Sequence, residues 1–94
     1  MNSSPSIRLK IPEKVLFRDL DGEAVLLDLK SGQYFGLNEV GTRIWNLIVA
    51  HGAVEPAWLA LCAEFDAPAD RLRSDLMSFL ERLIARGLLE SHAD

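Results

Sequence analysis

Val25-Leu26-Leu27-Asp28-Leu29-Lys30-Ser31-Gly32-Gln33-Tyr34-Phe35-Gly36-Leu37-Asn38-Glu39-Val40-Gly41-Thr42-Arg43-Ile44-Trp45 is the stretch that decides the fold. Its first residues are an apolar run of strand length, and Lys30-Ser31-Gly32 interrupts it with a short loop whose glycine suits a left-handed backbone. Gln33 to Leu37 resumes an extended pattern. Asn38 then caps a helix through its side-chain oxygen, and Glu39 places a carboxylate at the positive end of the helix dipole. Val40, Ile44, Leu47 and Ile48 recur at helical spacing, Trp45 widens the apolar face, and His51-Gly52 supplies a stop after about Ala50. Gly41 in the first turn costs roughly 1 kcal/mol relative to alanine, which predicts close approach of another backbone.

Upstream, Val15 to Arg18 and Ala24 to Leu29 flank Asp21-Gly22, a favoured hairpin pair, so three strands form an antiparallel meander. Such a meander needs an apolar surface to lie on, and the helices supply it. Pro56 sits in the first turn of a second helix carrying Trp58, Leu61, Cys62 and Phe65 and ending near Asp66. Pro68 opens a third helix with Leu72, Leu76, Phe79, Leu80, Leu83 and Ile84, closed by Gly87 and followed by Leu88-Leu89 as a final extended piece. The fold class is α+β and winged-helix-like, a three-stranded antiparallel sheet followed by three helices. Residues 1–12 read as a polar lead-in, 13–90 as the domain and 91–94 as a tail.

With 94 residues, 49% of them apolar and 26% charged, the chain has room for one folded domain with a modest core. Ten basic against fourteen acidic residues give a net charge of −4, which argues against holding nucleic acid mainly by neutralising phosphates. Asp28, Lys30, Arg43 and Asn46 break every apolar run well short of the roughly 20 residues that span a bilayer, so no membrane partner is expected. The N-terminus shows no basic cluster before an apolar segment, and a cytoplasmic location is expected. His51, His92 and Cys62 are too scattered to ligate a metal, and Cys62 reads as a core residue on an apolar helical face. No nucleophile stands beside a positioned base, so the chain is expected to be no enzyme and to need no cofactor.

What remains is binding. A three-stranded meander leaves two unpaired edges, and the third strand, bordered by Gly32 and Gly36, offers its backbone on one of them. On the third helix Leu72, Leu76, Phe79 and Leu83 form a narrow core stripe, while Leu80, Ile84 and Met77 extend round one flank with Arg73 among them. That flank is a candidate groove wall, with Met77 the most adaptable side chain in it. A wider buried face accounts somewhat better for Leu80 and Ile84, and Met77, furthest round, is the stronger groove candidate. Arg71, Arg73, Arg82 and Arg86 alternate with Asp70, Asp75 and Glu81, a pattern that pairs charges along the helix, as Arg71 with Asp75, better than it grips DNA.

The opening stretch closely resembles the PqqD-like family: a strand ending in Leu27-Asp28, the Ser31-Gly32 turn, the aromatic strand, Leu37-Asn38, then Gly41 with Ile44-Trp45. The later helix with Asp75, Phe79 and Leu80, closing in Gly87-Leu88-Leu89, extends the likeness over most of the chain. The resemblance implies a non-catalytic recognition element for ribosomally synthesised, post-translationally modified peptides, in which a precursor's leader pairs with the third strand against the third helix. It points to Gln33, Tyr34, Phe35, Gly36, Arg73, Met77, Leu80 and Ile84 as peptide-binding residues. It implies as second partner a peptide-modifying enzyme, such as a radical S-adenosylmethionine enzyme or a lasso-type leader peptidase, and a monomer or homodimer. The chain is more similar to members found beside other peptide-modifying enzymes than to those devoted to pyrroloquinoline quinone. The runner-up is a winged-helix DNA-binding transcriptional regulator.

Overall fold

Alternation of buried and exposed residues organises the sheet that the rest of the molecule is built on. The computed structural model describes residues 7–21 and 23–93. In chain order it contains β1 (Ile7–Lys10), β2 (Val15–Leu20), β3 (Glu23–Asp28), β4 (Tyr34–Leu37), α1 (Glu39–His51), α2 (Val54–Glu64), α3 (Ala69–Ala85) and β5 (Glu90–Ala93). Strands β2, β3 and β4 form an antiparallel meander in that order, with Phe17, Leu26 and Phe35 in one cross-strand row and Leu16, Leu27 and Tyr34 in the next. Ala24, Leu26 and Leu37 face the helices and are buried, so the period of two puts Tyr34 and Gly36 on the opposite face. The α+β, winged-helix-like architecture expected from the sequence is present.

The turns are built as their residue types demand. Asp21 is left-handed at φ 62°, as a two-residue hairpin loop requires, while Gly22 of the expected turn lies outside the described residues. Asn38 accepts a 2.8 Å hydrogen bond from the Gly41 N–H and caps α1. Gly87, at φ 73°, ends α3 in a Schellman arrangement: its N–H donates to Ile84 C=O and that of Leu88 to Leu83 C=O.

Trp45 of α1 stacks on Phe17 with ring centroids 6.3 Å apart, laying α1 across the sheet, and Leu76, Phe79, Leu80 and Leu83 bring α3 into the same core. Thr42 completes the join between sheet and helix. Its buried hydroxyl accepts from the Ala24 N–H at 3.0 Å and donates to Leu37 C=O at 3.5 Å, bridging β3 and β4 where their ladder ends.

Three expectations need correction. The nearest neighbours of Gly41 are side chains and not another backbone: a Cβ there would stand 3.3 Å from the Asn38 side-chain oxygen and 3.4 Å from the Phe79 ring. Helix α2 turns Val54, Ala57 and Leu61 inward, one face at i, i+3 and i+7, and leaves Trp58, Cys62 and Phe65 half-buried beside it. Helix α2 also ends at Glu64, whose carboxylate takes a 2.8 Å hydrogen bond from the Arg43 guanidinium of α1. Beyond these, β1, inside the expected lead-in, and β5, which runs from the last residue of the expected domain into the tail, pair as a separate two-stranded antiparallel sheet, with Ile7 opposite Ala93 and Lys10 opposite Glu90.

Replacing Thr42 by valine keeps the shape but strands the Ala24 N–H and Leu37 C=O in the core. The expected loss is about 1–3 kcal/mol in denaturant unfolding, with Thr42→Ser retaining most of the stability because it keeps the hydroxyl.

Candidate functional site

The parity of the β3–β4 ladder decides which backbone groups β4 leaves free. The Asp28 N–H donates to Gln33 C=O at 2.8 Å, so Leu26 with Phe35 is the next pair to exchange hydrogen bonds, and Leu27 with Tyr34 and Val25 with Gly36 are the pairs that do not. The N–H and C=O groups of Tyr34 and Gly36 therefore point away from β3. No strand lies there among the described residues, since β4 ends its sheet. Tyr34 is 73% exposed, and nothing lies within 4 Å of where a Gly36 Cβ would stand.

The turn that delivers β4 is held by one acid. Asp28, 7% exposed, accepts from the N–H groups of Lys30 at 2.9 Å and Ser31 at 3.2 Å, and the Lys14 ammonium lies 3.2 Å from its other oxygen. Burial alone would raise its pKa; the two backbone donors and Lys14 outweigh that and hold it below the ordinary carboxylate value.

Facing β4 across a cavity of about 200 Å³ is the flank of α3 that carries Phe79 and Arg82; Val40, Gly41 and Ile44 of α1 close one end. At roughly 30 Å³ per water molecule, that space suits a side chain. A smaller hollow continues along β4 between Gln33, Tyr34, Phe35 and Arg86. Arg86 lies over the Phe35 ring at 4.9 Å and Arg82 over Phe79 at 5.9 Å, so the groove has aromatic walls and cationic rims.

Of the residues singled out in the sequence, Gln33, Tyr34, Phe35 and Gly36 line this groove or its edge. The α3 set does not join them. Arg73, Met77, Leu80 and Ile84 fall on one row at about 100° per residue, on the other flank of the apolar stripe. There Arg73 lies 4.9 Å from the centre of the Trp58 ring and 2.6 Å from the Glu55 carboxylate, both on α2. Leu80 is a core residue at 2% exposure, Met77 is half-buried against the core, and Ile84 is 38% exposed. The residues the sequence reading missed are Phe79, taken for core alone, and Arg82 and Arg86, taken for a solvated charge pattern. Among the described residues no three of His, Cys, Asp and Glu come together to hold a metal, and no helix is long and apolar enough to cross a membrane.

Compared with protein families, residues 23–89 match coenzyme PQQ synthesis protein D (PqqD), a span running from the first residue of β3 to the last before β5. The chain belongs to the PqqD family. Comparison with curated proteins gives no match. Among solved structures, this PqqD-family chain is similar to TbiB1 in complex with the TbiA(beta) leader peptide, at 41% identity and a TM-score of 0.83 over 90% of this chain and 99% of that one. It shares its fold with lasso peptide synthetase B1 complexed with the leader peptide, at 19% identity and a TM-score of 0.80 over 88% of this chain and 98% of that one. The PqqD match leaves out β1, β2 and β5 and keeps β4, α3 and the turn between Asp28 and Gln33, the parts that shape the groove.

A carboxyl whose folded pKa is depressed stabilises the fold above its unfolded value, near 4, and that contribution disappears as pH falls through the folded value. Asp28→Asn is therefore expected to lower the unfolding midpoint at pH 7, with the gap to the unsubstituted chain closing as denaturation is repeated below about pH 4.

Proposed function

We propose that this chain is a non-catalytic adaptor that binds the leader of a ribosomally synthesised precursor peptide as an added strand on β4 and presents it to a peptide-modifying enzyme. The observation that carries the reading is the free edge of Tyr34 and Gly36 beside an aromatic groove, in a chain 41% identical to a protein solved with a leader peptide. Strand addition supplies main-chain hydrogen bonds, and the hollows between β4 and α3 select side chains. Two anchors at roughly 1.5–3 kcal/mol each, with edge pairing and less the cost of ordering the peptide, bring affinity to about micromolar.

The partner that receives the leader is a peptide-modifying enzyme, of which a radical S-adenosylmethionine enzyme and a lasso-type leader peptidase are the examples the sequence resemblance suggests. Tethering the precursor to that enzyme raises its local concentration and sets its direction, with no covalent step in the adaptor. The DNA-binding alternative is disfavoured by the net charge of −4 and by the engagement of Arg71 with Asp75 and of Arg73 with Glu55 on the helix that would enter the groove of a duplex.

Titration of isotope-labelled protein with the TbiA(beta) leader, and with the leader of any short precursor found encoded nearby, is expected to give saturable amide shifts at Gln33 to Gly36 and along Phe79 to Arg86. Shifts with duplex DNA and none with either peptide would install the regulator instead. Gly36→Pro removes an outward donor and leaves the β3–β4 ladder intact, so binding is expected to fall about tenfold, one charge-free hydrogen bond with its flanking contacts, at unchanged thermal stability. Val40→Glu on the β4 side is expected to weaken binding while Met77→Glu on the far flank spares it; the reverse result would move the peptide to the α2 side of α3.

A further inference from the structure

We infer that the peptide taken by this groove carries two carboxylates at alternate positions of its bound strand, one facing Arg82 and one facing Arg86. The inference rests on the adaptor reading and adds to it the chemistry of the ligand. The basic residues of α3 fall into two groups. Arg71 pairs with Asp75 along the helix and Arg73 with Glu55 across to α2, whereas Arg82 and Arg86 have no carboxylate partner among the described residues. Each instead lies over a phenylalanine ring of the groove wall. The face of a ring takes up no N–H of a guanidinium, so the five donors of each arginine remain free for a carboxylate.

Among the described residues the only carboxylate lining either hollow is Asp28, and it is held by Lys14 and by the N–H groups of Lys30 and Ser31. In a chain with net charge −4, two uncompensated cations beside one groove form a local exception that favours an anionic ligand there.

The spacing points the same way. Arg82 borders the hollow at Gly36 to Gly41 and Arg86 the one at Gln33 to Phe35, so α3 runs antiparallel to β4 along the groove. Four helical residues advance about 6 Å. Two strand residues advance about 6.6–6.8 Å and return to the same face. A strand laid on β4 therefore brings side chains i and i+2 under the two guanidiniums, while i+1 turns to the outer face with Tyr34.

The test selects a displayed library of random 12-residue peptides on the full chain and maps the enriched peptides by amide shifts. Enriched sequences are expected to carry Asp or Glu at two positions separated by one residue and to shift the Tyr34 and Gly36 amides. Arg82→Gln and Arg86→Gln are each expected to weaken such a peptide roughly three- to fivefold, as for a partly exposed ion pair, and replacing the matching peptide carboxylate by its amide then costs nothing further. Selection on the double variant should lose the acidic pair. Peptides that shift Tyr34 and Gly36 with no acidic enrichment, or that bind the double variant equally well, overturn this inference and leave the adaptor reading standing. Selected peptides that map away from β4, or no enrichment at all, overturn the adaptor reading and this inference with it.

Discussion

A single residue joins the sheet to the helices: Leu37 ends β4, Glu39 begins α1, and Asn38 alone lies between. So short a junction leaves no slack, and everything around it is arranged to satisfy the backbone groups it would otherwise strand. The Asn38 side chain takes the Gly41 N–H, and the Thr42 hydroxyl sits between Ala24 and Leu37. The tightest neighbour of a Cβ at Gly41 would be the capping Asn38 oxygen at 3.3 Å, so the glycine leaves room for the cap, while the Phe79 ring packs beside it at ordinary contact distance and lines the groove.

The groove is a place where a small protein leaves its construction unfinished. A sheet of three strands has two edges, and here one of them faces a helix wall across a space suited to a side chain. Its backbone donors are already aligned by the ladder behind them, so a peptide that pairs there carries the ordering cost almost alone. The guanidinium groups of Arg86 and Arg82 lie over Phe35 and Phe79, so the rim of the groove is cationic where its wall is aromatic.

Much of this was legible in the residues themselves. The meander, the Asn38 cap, the Gly87 stop and the three helices each have a local chemical signature, and each element is present where the signature puts it, save that α2 stops at Glu64 and buries a different face. The edge was legible too, because strand order follows from short turns. The α3 wall was not. Helical periodicity defines an apolar stripe and says nothing about which of its flanks turns toward β4, so Arg73, Met77 and Leu80 were as plausible from sequence as Phe79, Arg82 and Arg86. The flank is settled by tertiary contacts, Arg73 with Trp58 and Glu55 on one side and Arg86 with Phe35 on the other. The outer strand pair left a signal that went unused: Ile7, Leu9 and Ile11 are half-buried while Arg8 and Lys10 are exposed, a period of two in a segment that composition alone marks as polar.

That outer pair has an architectural meaning. Because β1 and β5 are antiparallel, with Ile7 beside Ala93, the polypeptide enters and leaves the domain at one spot, through a sheet separate from the one that bears the groove. A unit with adjoining ends behaves like a bead on a loop: it can be inserted between two residues of a larger protein, or strung on a linker from either end, without separating the insertion points or drawing chain across β4. The same recognition surface is thereby as available to an embedded module as to a free-standing one.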